Sequence, residues 1–81
     1  MAQDVQLAVQ SELQRQDVKW GVQNHNAVEW IAILGEEFGE AAKEAVEFHY
    51  GRKGSEDLIE ELIQVAATAI QAAQSLQRQK C

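Results

Sequence analysis

Residues 26–49 read NAVEWIAILGEEFGEAAKEAVEFH, and this stretch decides the fold. Asn26 can cap a helix, and Glu29 three residues later completes a capping-box spacing. Projected at about 100° per residue, Val28, Ile31, Leu34, Phe38, Ala41 and Ala45 form one apolar stripe. Ala32, Gly35, Gly39, Ala42 and Val46 form a neighbouring stripe of mostly small residues. Glu37, Glu40 and Glu44 share another side at spacings of three and four. A glycine inside a helix costs about 1 kcal/mol relative to alanine. Close approach of another helix to the small stripe is the expected compensation. The helix is predicted to end near His49, where Tyr50-Gly51-Arg52-Lys53-Gly54 supplies glycines and cations suited to a C-terminus.

Working outward, two further helices are predicted. Ser55 is an N-cap residue, with Glu56 and Asp57 in the first turn behind it. This helix spans about 55–77 and leaves Arg78-Gln79-Lys80-Cys81 as a frayed tail. Leu58, Leu62, Val65 and Ala69 form one apolar stripe on it, beside Ile59, Ile63, Ala66 and Ile70. A polar line of Asp57, Glu61, Gln64, Thr68, Gln71 and Ser75 runs opposite. Upstream, Ala2, Val5, Val9 and Leu13 predict an amphipathic helix over about 2–16. It is expected to stop before Asp17-Val18-Lys19-Trp20-Gly21. The chain contains no proline, and Ala, Glu, Gln and Leu dominate it. The fold class is therefore all-α, a single domain over 1–81: a hairpin of two long helices plus an N-terminal helix.

The 81-residue chain has 13 acidic and 7 basic residues, a net charge of −6. That balance argues against binding a nucleic-acid polymer, which needs a basic patch. A chain this short, with no disulfide framework, is marginal alone. The expectation is a four-helix-bundle-like core completed by oligomerisation, a homodimer or a tetramer. The lone Cys81 argues for a reducing compartment and is expected to have no nucleophilic role. No basic-then-apolar leader and no run of about 18 apolar residues is present. The expectation is thus a soluble cytoplasmic protein without membrane association.

If the two polar lines face each other, at least three carboxylates converge. Such a cluster raises its own pKa values unless a divalent cation sits between the groups. Oxygen donors from Glu and Gln suit a hard cation, Mg2+ or alternatively Mn2+, and bound Mg2+ bridges readily to phosphates. The residues alone leave two readings open: a cation site for a phosphorylated small molecule, or acids on solvated helix faces. Trp20 and Trp30 could stack a base or belong to the core. Lys19, Arg52 and Lys53 could neutralise phosphates or stand free on the surface. His25, beside the cap, reads as structural or solvated. No Glu-x-x-His pair is present, which argues against a di-iron carboxylate bundle.

Leu34-Gly35-Glu36-Glu37-Phe38-Gly39-Glu40, followed by Glu60-Glu61-Leu62-Ile63-Gln64-Val65-Ala66, resembles the MazG-like branch of the all-α nucleoside triphosphate pyrophosphohydrolases. The dimeric all-α dUTPases belong to the same superfamily. Gln16-Asp17-Val18-Lys19-Trp20-Gly21 with Trp30 resembles the approach to that motif, so the similarity runs from about Gln16 to Ala69. The family pattern is Glu-x-x-Glu on one helix and Glu-x-x-Asp on the next. The resemblance implies metal-dependent hydrolysis of a nucleoside triphosphate to monophosphate and pyrophosphate. It implies Glu37, Glu40 and Glu61 as Mg2+ ligands, with Gln64 where the family has aspartate. Glu44 or Asp57 could act as auxiliary ligands, and Glu36 or Glu37 could orient the water. Lys19, Trp20, Trp30 and Lys53 are the candidates for substrate binding. The departure at Gln64 also admits a non-catalytic oligomer or nucleotide-binding protein of the same fold with a degenerate metal site.

Overall fold

A computed structural model describes residues 3–79 as three helices: α1 (Val5–Trp20), α2 (Ala27–His49) and α3 (Glu56–Gln79). Among the described residues there is no strand, and no helix is long and apolar enough to cross a membrane. Ala2 and Cys81 lie outside the described residues.

The predicted capping box of α2 is present in full. Glu29 N donates to Asn26 Oδ1 at 2.8 Å, and Asn26 N donates to Glu29 Oε1 at 2.9 Å. The helix ends as anticipated at His49, with Tyr50 as its C-cap. Gly51 then takes φ +73°, the left-handed conformation that favours glycine. The N-terminal helix differs from expectation. It starts at Val5 because Asp4 caps it, its Oδ1 accepting from Leu7 N at 3.2 Å. It runs four residues past Gln16 because backbone bonding needs no apolar face, and nothing breaks it before Gly21. The last helix also outruns its predicted end at 77. Arg78 donates to Gln23 O and Asn24 Oδ1, and Gln79 donates to His25 O, so Arg78 and Gln79 are tethered rather than frayed.

The middle layer is α3. It packs on α2 along one side and on α1 along another, while α1 and α2 do not touch at the backbone level among the described residues. The result is elongated, 48 × 27 × 18 Å. Between α1 and α3, Val9, Ile63 and Ala67 form a buried cluster, with Ala8, Leu13 and Ala66 packed against it. Val5, predicted for the same face, is exposed instead, because it lies at the first turn of α1.

The polar line of α3 is partly covered, while Glu40 of α2 and Asp57 of α3 stay exposed. Thr68 and Ser75, from the polar line of α3, are buried, as are Trp30 and Ala41 of α2. Much of the predicted apolar stripe of α2 turns outward: Val28, Ile31 and Phe38 are 80 %, 66 % and 66 % exposed. Leu62 and Ile70 of α3 are also exposed. The expected close approach to the small stripe does not occur within the chain, since a Cβ added at Gly35 or Gly39 would meet nothing within 4 Å. Helices with apolar residues around most of their circumference carry more apolar surface than one neighbour can cover. In this fold the surplus faces out.

The capping box offers a simple test. Asn26→Ala should lower stability by about 1 kcal/mol, which a circular-dichroism melt would register as a drop of roughly 4–8 °C in a chain this short.

Candidate functional site

The site is built where α2 and α3 face each other. Glu37 and Glu61 are both half-buried there, one from each helix. Burial, the largest cause, pushes the Glu61 carboxyl above its ordinary range, and the charges of Glu37, Glu40, Glu60 and Glu44 push it further. Burial likewise raises Glu37, followed by repulsion from Glu12, Glu40 and Glu36. Glu61 Oε2 is shut off from solvent and has no hydrogen-bond partner among the described residues. A buried acceptor left without a donor is costly and asks for an explanation. Among the described residues no ion pair reaches Glu37, Glu40 or Glu61. The carboxylates stand in each other's field without converging: no three His, Cys, Asp or Glu side chains among the described residues form a ready cation cage.

Helix α1 adds an acid that sequence reasoning missed. Glu12 is electrostatically coupled to Glu37 from the other side of α3. It is held by Arg15, with Nη2–Oε2 at 2.6 Å and Nε–Oε1 at 2.9 Å, and accepts from Gln16 Nε2 at 2.7 Å. The Arg15 guanidinium keeps the Glu12 carboxyl below its ordinary range. Nothing in the local pattern singles Glu12 out, because a Glu–Arg pair three residues apart is an ordinary helix-surface pair. Only the placement of α1 brings it to the site.

Gln64 lies one turn beyond Glu61, half-buried, and lines a different space. This is a cavity of about 670 Å3 between α1 and the first half of α3, bordered by Ser11, Glu12, Arg15, Glu60 and Ile63 as well. A pocket of 300–1,000 Å3 is the usual size for a small-molecule ligand. Glu36 is exposed and enters the site only through its charge on Glu37. Glu44 and Asp57 are both engaged by Lys53, whose Nζ lies 3.2 Å from Glu44 Oε2 and 3.3 Å from Asp57 Oδ2.

The substrate-binding candidates do not form one cluster. Trp20 is exposed, with Lys19 Nζ over its ring at 4.8 Å. Trp30 is 2 % exposed and meets His25 edge to face at 4.9 Å. It borders a cavity of about 120 Å3 with Asp17, Gln71, Gln74 and Arg78, and its Nε1 is buried without a partner. Lys53 sits at the opposite end of α3. At 1.5 Å rise per residue, the Trp30 cavity is roughly 15 Å along α3 from Glu61 and over 20 Å from Asp57.

The chain matches no family model, and no curated protein or solved structure shows significant similarity to it. The resemblance to the MazG-like enzymes therefore stands on the motif residues alone.

The elevated carboxyl of Glu61 has a measurable consequence. A carboxyl that ionises less readily folded than unfolded destabilises the fold above its folded pKa, and the penalty vanishes below its unfolded value. Without divalent cation, Glu61→Gln should therefore melt higher than wild type at pH 7. The advantage should shrink as pH falls through the elevated Glu61 value toward the ordinary carboxyl range. Melts of both proteins across that range check it.

Proposed function

We propose that the chain is a divalent-cation-dependent nucleoside triphosphate pyrophosphohydrolase that works as an oligomer. The observation carrying the proposal is the unpaired pair Glu37 and Glu61, brought together from facing helices with one carboxylate oxygen buried and orphaned. Mutual repulsion of buried acids is tolerated where a cation relieves it. The donor set fits a hard cation, since every candidate ligand offers oxygen. Glu37, Glu40 and Glu61 would be the residues to hold Mg2+ or Mn2+. The bound ion supplies polarisation of the phosphoryl oxygens and activation of a water.

The chain's own residues define the rest. Water cleaves the anhydride between the α- and β-phosphates, giving monophosphate and pyrophosphate. Glu37 is better placed than Glu36 to orient that water, because Glu37 is half-buried in the site and Glu36 is exposed. Gln64, on the wall of the larger cavity, offers a neutral amide toward a ligand there. Trp30 presents an unpartnered N–H beside the smaller cavity, roughly 15 Å along α3 from Glu61, and is the stronger of the two tryptophans as a base contact.

The outward apolar faces support self-association. Val28, Ile31 and Phe38 of α2 and Leu62 of α3 are large, exposed and apolar, and the open glycine stripe lies beside them. Burying such a surface against a second copy would complete a four-helix core. Gln64 favours a second reading, in which the fold and oligomer persist with a degenerate, non-catalytic site.

Pyrophosphate release separates the readings. Purified protein with Mg2+ should release pyrophosphate from at least one common or modified nucleoside triphosphate. Glu40→Ala or Glu61→Gln should cut the rate by about 100-fold, the upper end of what losing a side chain that orients a metal ligand costs. Silence with every substrate, unchanged by Gln64→Asp, establishes the non-catalytic reading. For the oligomer, sedimentation should give at least twice the 9.1 kDa chain mass at micromolar concentration. Phe38→Glu should shift it to the monomer, and a wild-type monomer would contradict the four-helix core.

A further inference from the structure

We propose that the cavity beside Trp30 is a second binding site, separate from the carboxylate pair, which takes a compact zwitterion: a small free α-amino acid such as glycine, alanine or serine.

Trp30 forms the buried wall of this cavity. It is 2 % exposed, and its ring is fixed edge to face against His25 at 4.9 Å. Nε1 is the one polar atom of the side chain and can only donate, yet it is buried without a partner among the described residues. A buried N–H in this state calls for an acceptor in the space it borders. That space measures about 120 Å3. A water molecule takes up about 30 Å3 in the liquid, and an engineered apolar cavity of about 150 Å3 takes up benzene. The cavity therefore suits a few waters or one molecule of about six non-hydrogen atoms.

Charges of both signs border it. Arg78 of α3 and Asp17 of α1 are both among its lining residues, and neither makes an ion pair among the described residues. Arg78 Nη2 donates to Gln23 O at 3.2 Å and to Asn24 Oδ1 at 3.3 Å. Those bonds tie the guanidinium to the α1–α2 link and use one of its three nitrogens. Gln71 and Gln74 add amides that both donate and accept. The last turns of α1 and α3 also meet here, and the C-terminal end of a helix is the negative end of its dipole.

An anion alone would suit Trp30 and Arg78 but would face Asp17 and two negative helix ends. A cation alone would leave the indole N–H without an acceptor. A neutral base would leave both charges unanswered. A zwitterion answers all of them: its carboxylate accepts from Trp30 Nε1 and Arg78, and its ammonium turns to Asp17. Trp30 is buried and Asp17 is exposed, so the carboxylate enters first and the ammonium stays at the mouth. The cavity lies roughly 15 Å along α3 from Glu61, so its occupancy needs no divalent cation.

The indole N–H is its own reporter. In isotope-labelled protein free of divalent cations, the two indole signals are told apart by Trp20→Phe. The Trp30 signal should move saturably with glycine, alanine and serine, and the Trp20 signal should stay in place. Phenylalanine, too large for the cavity, should move neither. Acetate and methylamine, with one charge each, should bind about tenfold more weakly than alanine or worse, the scale of one charged hydrogen bond. Asp17→Asn should weaken alanine by a similar factor without weakening acetate. Acetate binding as tightly as alanine overturns the zwitterion. A Trp30 signal that no amino acid moves overturns the site and leaves the cavity to water. If uridine or cytidine moves it instead, Trp30 is a base contact and the proposal falls. Every reading is taken without metal or turnover, so failure of pyrophosphate release leaves this test intact.

Discussion

Two half-buried acids on facing helices are the constraint around which this molecule is organised. Glu37 and Glu61 repel one another across the α2–α3 contact, and no ion pair answers either among the described residues. The cost is carried by the surroundings. Thr68 and Ser75 of α3 are buried as well, and the Ser75 hydroxyl accepts from Gln79 Nε2 at 3.0 Å. The hairpin thus keeps a polar seam inside and sends apolar residues outward. A helix pair built for stability alone would do the reverse.

The geometry of α3 makes the seam possible. With α1 and α2 on two of its sides, α3 presents Ile63 and Ala67 to α1, turns Gln64 to the α1 cavity, and holds Glu61 in the field of Glu37 of α2. One helix therefore serves a dry contact and a charged contact at once, separated by roughly a quarter turn. Glu12 of α1, beside the first half of α3, adds its charge to that of the acids at Glu37.

Much of this was legible in the residues. The three helices, the Asn26–Glu29 capping box and the stop at His49 all follow from local chemistry and periodicity. What was not legible depends on tertiary placement. Periodicity identified apolar stripes but could not tell which one meets a neighbour, so Val28, Ile31 and Phe38 were expected inside and lie outside. The end of α1 was misplaced because amphipathic pattern fades at Asp17 while hydrogen bonding continues to Trp20. Glu12 and the tethered end of α3 required contacts between positions far apart in the chain. Of the site itself, the residue types were readable, and their separation into paired and unpaired acids was not.

The bonds from Arg78 and Gln79 to residues 23–25 join positions 54 or 55 apart in the chain. They make the final turn of α3 the clasp of the whole fold. The link between α1 and α2 is held locally by the His25 contacts to Gln23 and Trp30 and is tied at a distance to the end of the chain. The clasp and the hairpin turn lie at opposite ends of α3, so local opening at one end need not disturb the other, a separation that hydrogen exchange resolves.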